Sequence, residues 1–245
     1  MKIEATLTPA ELPALAGRDL RDAVCVVFDV LRATSTFVAA LHNGAKAIVP
    51  VSEIAEALAF RQNQPDVLIG GERDGVRIRA AQTGGIDFDL GNSPREYTPE
   101  RVRGKTIVST TTNGTRALRA GAGAKMVLAA SFLNLAATAQ FIKKNQPAQV
   151  LLVCAGTREN TALEDVLAAG AMCGILAGKL SDSAEIARRV YAQAKPDLPA
   201  TVRTSENARR LVAIPELRDD VAFCLQQDIF PLVAKTDADG IIRSK

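Results

Sequence analysis

Six short apolar runs, alternating with helical patterns, constrain this chain more than any other feature. The strand candidates are 23–29, 47–51, 67–72, 106–111, 125–131 and 149–156. Helical patterns follow at 35–43, 52–63, 115–120, 133–145 and 162–180. The runs are rich in Val and Ile and lack clean alternation, as strands buried on both faces do. This rhythm predicts an α/β fold, layered α/β/α, with a largely parallel or mixed sheet. Past residue 181 the pattern turns helical, over 182–194, 201–211 and 218–227. There Asp182 and Glu185 match an N-cap with its capping-box partner. The 245 residues are ample for one large core.

A weak internal repeat runs through the pattern. Gly44-Ala45-Lys46 leads into 47–51 and then Ser52; Gly123-Ala124-Lys125 leads into 126–130 and then Ser131. Upstream of each lies a strand ending in a Thr-rich, Arg-containing loop, 29–36 in one and 110–116 in the other. Shared turn chemistry accounts for this as well as common ancestry of two α/β halves does. With no low-complexity linker, the expectation is one unit over 1–245. Its candidate halves are about 1–104 and 105–245, with the site between the equivalent loops.

In open α/β sheets, ligands sit beyond the C-terminal strand ends. Asp29 ends the apolar run Val24–Phe28, and Arg32, Thr34 and Ser35 follow it. A carboxylate there suits a metal ligand or phosphoryl acceptor, and charge at a core strand's end is costly without a purpose. The plain structural reading makes Thr34 or Ser35 an N-cap and Asp29–Arg32 a pair. Gly70-Gly71-Glu72-Arg73 allows close backbone approach, or is a glycine turn with exposed charges. Asn92 and Ser93 lie in a polar turn. Thr110, Thr111, Thr112, Asn113, Gly114, Thr115 and Arg116 offer hydroxyls and amides for an anion, or an over-capped helix start. The GxxxxGK[ST] order of a nucleotide-binding P-loop is missing. Thr161 and Glu164 match a capping box, which leaves Asp165 over, either for metal or for the helix dipole.

Composition narrows the ligand. Aromatics make up 4%, Trp is absent and net charge is +3 without a basic block, which argues against nucleic acid. The single histidine, His42, rules out any two-histidine site and reads as a helix C-cap. The four cysteines contain no CxxC and read as reduced core residues. With no signal peptide and no membrane-length apolar segment, a cytoplasmic protein is expected. A homodimer is expected too, though no residue argues for it.

The segments "FDVLRATST", "GGERDG", "DLGNSPREY", "TTTNGTRAL" and "VCAGTRENTALEDVLAAG", with the late "DDVAFCLQQDIFPLV", together resemble the 2-phosphosulfolactate phosphatase family. Each is weak alone; their combination and order, from Asp29 to about Val233, make the resemblance specific. It implies a Mg²⁺-dependent phosphatase with its own α/β fold. The family's named reaction converts 2-phosphosulfolactate to 3-sulfolactate and phosphate, a step in coenzyme M biosynthesis. The motif positions are Asp29, Arg32, Thr34, Ser35, Glu72, Arg73, Asn92, Ser93, Thr111, Thr112, Asn113, Gly114, Thr115, Arg116, Glu164 and Asp165.

The physics of the residues agrees. A small phosphorylated anion needs cationic and N–H donors, which Arg32 and the 110–116 loop supply. Asp29, Glu72 and Asp165, with Glu164 beside them, are the oxygen donors for Mg²⁺. Arg73 and Arg116 are the candidates for the substrate's sulfonate and carboxylate. Asp29 remains open as metal ligand or nucleophile. A haloacid-dehalogenase-type phosphatase also begins with a strand ending in Asp, but needs a second Asp where this chain has Leu31. A phosphatase for another phosphorylated hydroxyacid, or a non-catalytic anion- or nucleotide-binding module, would use many of the same loops.

Overall fold

The computed structural model describes residues 1–15 and 17–245. Eleven strands form one mixed, largely parallel sheet. They are β1 (Lys2–Thr6), β2 (Ala23–Phe28), β3 (Ala47–Val51), β4 (Leu68–Arg73), β5 (Val76–Arg77), β6 (Thr106–Thr110), β7 (Met126–Ala130), β8 (Gln149–Cys154), β9 (Lys179–Leu180), β10 (Ala234–Thr236) and β11 (Ile242–Ser244). Helices of six residues or more are α1 (Ala33–His42), α2 (Ile54–Asn63), α3 (Gly114–Ala120), α4 (Leu135–Asn145), α5 (Leu163–Leu176), α6 (Asp182–Ala194), α7 (Leu198–Arg203), α8 (Glu206–Val212) and α9 (Arg218–Cys224).

The continuous apolar runs have the cause expected of them. In β2, Val24, Val26 and Phe28 join one core with α5, α6 and α8. Cys25 and Val27 join another with α1 and α3 on the opposite face. In β8, Leu152 and Leu151 divide in the same way. A strand covered on both sides has no solvent face to mark by alternation. All four cysteines are unpaired and buried.

The strand order is β5-β4-β6-β3-β11-β10-β7-β2-β8-β1-β9. β4, β6 and β3 form one parallel group; β7, β2, β8, β1 and β9 form another. Between them stands the hairpin β10–β11, antiparallel to β7 on one side and to β3 on the other. Three successive antiparallel pairings therefore make the two groups run in opposite senses. The two repeat units cross this seam in opposite directions: β2–α1–β3 leaves the second group for the first, and β6–α3–β7 goes back. The strands of 1–104 and 105–245 thus interleave in one sheet. The exchange brings the starts of the two crossover helices, α1 and α3, into contact.

Four local expectations are corrected. β1 was not among the strand candidates; it pairs in parallel with β8 along its whole length. The tail is not wholly helical, because β10 and β11 complete the sheet's middle. The N-cap of α6 is Ser181, whose hydroxyl accepts the Ala184 N–H, while Glu185 pairs with Arg188 and Arg189. His42 is the last residue of α1 but the C-cap is Asn43; the His42 ring stacks on Phe230 at a centroid distance of 4.1 Å. Among the described residues no helix is long and apolar enough to cross a membrane.

Candidate active site

The loops following β2, β4, β6 and β8 meet in one cleft, joined by α8. Its lining includes Asp29, Arg32, Glu72, Asn92, Thr112, Asn113, Thr157, Arg158, Asn207 and Arg210. The cleft is narrow and opens to solvent, with a volume of about 40 Å³. That admits a phosphoryl-sized group or a few waters. Larger hollows exist elsewhere, but the acids lining them, Asp219, Asp237 and Asp239, are not buried as Asp29 and Glu72 are.

Asp29 is the carboxylate at the centre. Its main chain is locked by Thr34, whose hydroxyl accepts the Asp29 N–H (3.1 Å) and donates to the Asp29 carbonyl (3.0 Å). Its Oδ1 accepts the Ala33 N–H at 3.0 Å. Its Oδ2 accepts no hydrogen bond among the described residues, and lies 2.8 Å from where a Cβ on Gly114 would stand. Burial pushes the Asp29 carboxyl up to about 7, and the negative charges of Glu72 and Glu164 add to the rise.

The other acids divide by what their oxygens already hold. Glu72 Oε1 accepts the N–H and hydroxyl of Thr112 (2.8 and 2.9 Å), and Oε2 accepts the Gly75 N–H (2.7 Å). Asp165 Oδ1 accepts the Val30 N–H (2.8 Å) and Oδ2 the Gly156 N–H (3.0 Å). Both acids therefore staple loops together. Asp165 sits behind the cleft rather than lining it, and burial, with Asp29 and Glu164 nearby, drives its carboxyl well above the ordinary range. Glu164 does not close a capping box: α5 is N-capped at Ala162. Instead its Oε1 accepts from Asn207 Nδ2 at 2.7 Å, and its Oε2 is buried without a partner among the described residues.

Several expected anion contacts are committed elsewhere. Arg73 alternates away from Glu72 along β4 and donates to the carbonyls of Glu72 and Ser52 and to Thr110 Oγ1. Arg116 pairs with Glu159 on the surface. Ser35 donates to the Val30 carbonyl, and Thr111 and Thr115 bond each other. Thr34, Ser35, Ser93, Thr111 and Thr115 thus shape the loops and do not line the cleft. Asn113 does line it, with Nδ2 donating to the Gly156 carbonyl at 2.7 Å. Gly71, at φ 149°, has the Thr110 carbonyl 2.1 Å from its Cβ position, so its close approach serves strand packing and not a ligand.

The late helices supply what the sequence reading left out. Arg32 is buried, with Nη1 donating to Asp220 Oδ2 at 2.7 Å and Nη2 to the Gly75 carbonyl at 2.5 Å. Asp220, on α9, also accepts from Ser93 Oγ at 2.7 Å. Asn207 and Arg210, on α8, reach the cleft wall. Their one sequence signal was polarity within otherwise apolar-periodic helices. Asp220→Asn is expected to cost about 3–5 kcal/mol, because it strands a buried guanidinium without its counter-charge. Chemical denaturation of the two proteins side by side measures it; a loss under 1 kcal/mol would contradict the pairing.

A family model described as 2-phosphosulpholactate phosphatase matches residues 8–239. This chain belongs to the 2-phosphosulfolactate phosphatase family. The name describes phosphoric monoester hydrolases, and the enzyme reading agrees with a cleft sized for a phosphoryl group. A protein of Caldanaerobacter subterraneus subsp. tengcongensis called probable 2-phosphosulfolactate phosphatase is 40% identical over 237 residues, covering 94% of each chain. One of Thermotoga petrophila with the same name is 43% identical, covering 85% of this chain and 86% of its own. A Synechococcus protein, again so named, is 36% identical over 99% of both.

Proposed function

We propose that the protein hydrolyses 2-phosphosulfolactate to 3-sulfolactate and phosphate, in the coenzyme M type of pathway, with Mg²⁺ as cofactor. The observation that carries the reading is Asp29: a buried carboxylate with one free oxygen, at the head of a small cleft with guanidinium groups in its walls.

The donor set suits Mg²⁺ in a particular way. Among the described residues no three acids, histidines or cysteines are spaced to close a metal site. Mg²⁺ does not require that, since it keeps several waters and takes one or two carboxylates plus phosphate oxygens of the substrate. Asp29 Oδ2 and the unpartnered Glu164 Oε2 are the two carboxylate oxygens left over. Those residues would hold the ion; Glu72 and Asp165, each of whose oxygens already accepts a hydrogen bond, would position the loops around it. When bound, Mg²⁺ neutralises phosphoryl charge and lowers the pKa of coordinated water.

The chain's own groups account for the rest. Arg32, held rigid by Asp220 and Gly75, presents its remaining N–H bonds to the phosphoryl oxygens, where charge shifts during transfer. Asn92, whose Oδ1 is buried without a partner among the described residues, fixes the opposite wall through the Thr36 hydroxyl on its carbonyl. Phosphate release from a panel of phosphomonoesters, with Mg²⁺ and then with EDTA, tests the reading. Mg²⁺-dependent release favouring 2-phosphosulfolactate is expected, with at least a hundred-fold loss in EDTA. Preference for another phosphorylated hydroxyacid would change the substrate, and no release from any ester would leave an anion-binding module.

A further inference from the structure

Three guanidinium groups reach the cleft, and only one lacks an acid. Arg32 is paired with Asp220 and also donates to the Gly75 carbonyl. Arg158 is largely exposed and faces Asp74 at 3.7 Å. Arg210 has no carboxylate within 4.0 Å among the described residues. Its Nη2 donates to Asn207 Oδ1 at 3.0 Å, while its Nε is buried and unpartnered. The guanidinium lies against Gly75, with Nε 3.6 Å from that residue's Cβ position, and the Gly75 carbonyl is already taken by Arg32.

This arrangement is built rather than accidental. Asn207, which orients Arg210, is itself pinned: its Nδ2 donates to Glu164 Oε1 at 2.7 Å and to Thr157 Oγ1 at 2.5 Å. A rigidly held cation with a bare N–H edge carries a desolvation cost that an anion would remove. The Nε–H is closed in against Gly75, whereas the Nη1 N–H bonds take no partner among the described residues, which leaves the outer end of the guanidinium for an acidic group. Arg32 and Arg210 meet at Gly75, Arg32 on its carbonyl and Arg210 against its Cα, so the two guanidinium groups stand side by side in the cleft wall.

We propose that Arg210 is the specificity residue of this site, receiving the second, non-transferred acidic group of the substrate, a carboxylate or sulfonate, at the free end of its guanidinium. The assignment rests on the hydrolytic reading above for its substrate, though not for its binding chemistry. It takes over the part that Arg73 and Arg116 are placed too far away to play. The guanidinium is oriented from α8, the helix whose Asn207 also holds Glu164.

Two measurements on the Mg²⁺-loaded full chain test this. In the first, 3-sulfolactate and inorganic phosphate are titrated separately into wild type and Arg210→Gln by calorimetry. The variant is expected to bind 3-sulfolactate at least thirty-fold more weakly and to hold phosphate as wild type does, with Arg210→Lys in between. Equal 3-sulfolactate binding by wild type and variant, or equal loss of both ligands, would overturn the assignment. In the second, 2-phospholactate, which lacks the sulfonate, and 2-phosphooxyethanesulfonate, which lacks the carboxylate, are compared as substrates. The ester whose KM ceases to respond to Arg210→Gln identifies the absent group as Arg210's partner; a uniform fall in kcat with unchanged KM would contradict the proposal. Weaker 3-sulfolactate binding by Arg210→Gln, beside a wild type that binds it but cleaves no ester, would retain the receptor and discard the hydrolysis.

Discussion

Asp29→Asn is expected to abolish phosphate release, by a factor on the order of 10³ or more in kcat, and to make the metal-free protein more stable. The two effects have one cause. Asp29 Oδ1 takes the Ala33 N–H, an interaction asparagine keeps through its own Oδ1. What the variant loses is the charge on Oδ2, in a place already crowded by the negative charges of Glu72 and Glu164. A residue that weakens its own fold in this way is retained for what its charge does.

The pH dependence has a definite sign. In the unfolded chain Asp29 loses its proton near 3.8; in the fold, burial holds it until about 7. Between those values the folded state binds more protons than the unfolded state, so this group's contribution to stability falls as pH rises. Below 3.8 it contributes nothing, and above 7 the full penalty is present. At roughly 1.4 kcal/mol per pH unit, the penalty is a few kcal/mol. Thermal unfolding in EDTA at pH 5 and pH 8 should therefore show Asp29→Asn gaining on wild type as pH rises. Mg²⁺ should stabilise wild type at pH 8 and leave the variant nearly unmoved. A variant less stable than wild type at pH 8, or one that retains turnover, would remove Asp29 from the centre of the site.

How much of this was legible in the sequence depended on how local the signal was. The six core strands announced themselves because each carries a run of three to six buried residues, and their loops carried the motifs. β10 and β11 are three residues each, Ala234–Thr236 and Ile242–Ser244, and owe their pairing to the long neighbours β7 and β3. A cue was present all the same: Asp239-Gly240 lies between them, a dipeptide suited to a tight hairpin turn. β1 has a partly exposed edge in Lys2–Thr6, so it lacked the continuous apolar run that marked the others.

The site divides along the same line. Asp29, Glu72, Asn92, Thr112 and Asn113 stand at strand ends or in the loops beyond them, where chemistry is expected, and they line the cleft. Asp220 bonds a residue 188 positions away, and Asn207 one 43 positions away. Nothing within a helix of seven residues tells Asp220, fully buried, from its exposed neighbour Asp219. Residue type also misleads. Arg73 and Asp165 have the charge of ligands, but strand alternation turns the first away and two backbone N–H groups occupy the second.

Gly114→Ala is expected to lower kcat/KM on the order of 10²-fold while the protein stays folded. The added methyl would stand 2.6 Å from Ala33 Cβ and 2.8 Å from Asp29 Oδ2. Neither neighbour yields easily: Ala33 begins α1, and Asp29 is fixed through Thr34 and the Ala33 N–H. The start of α3 must retreat from the start of α1, or Asp29 must turn out of place. Overpacking of this kind costs about 1–3 kcal/mol. The activity loss exceeds what that instability explains, because a reacting group displaced by about 1 Å can cost a hundred-fold in rate. Gly123→Ala is the control, since nothing lies within 4 Å of its Cβ position, and it should leave both activity and unfolding midpoint unchanged. Adding Ala33→Gly to Gly114→Ala removes the methyl–methyl clash but not the contact with Oδ2. The double variant should therefore recover part of the stability and little of the turnover. Full recovery of turnover would mean that the joint between the two crossover helices, and not the approach to Asp29, is what requires glycine at 114.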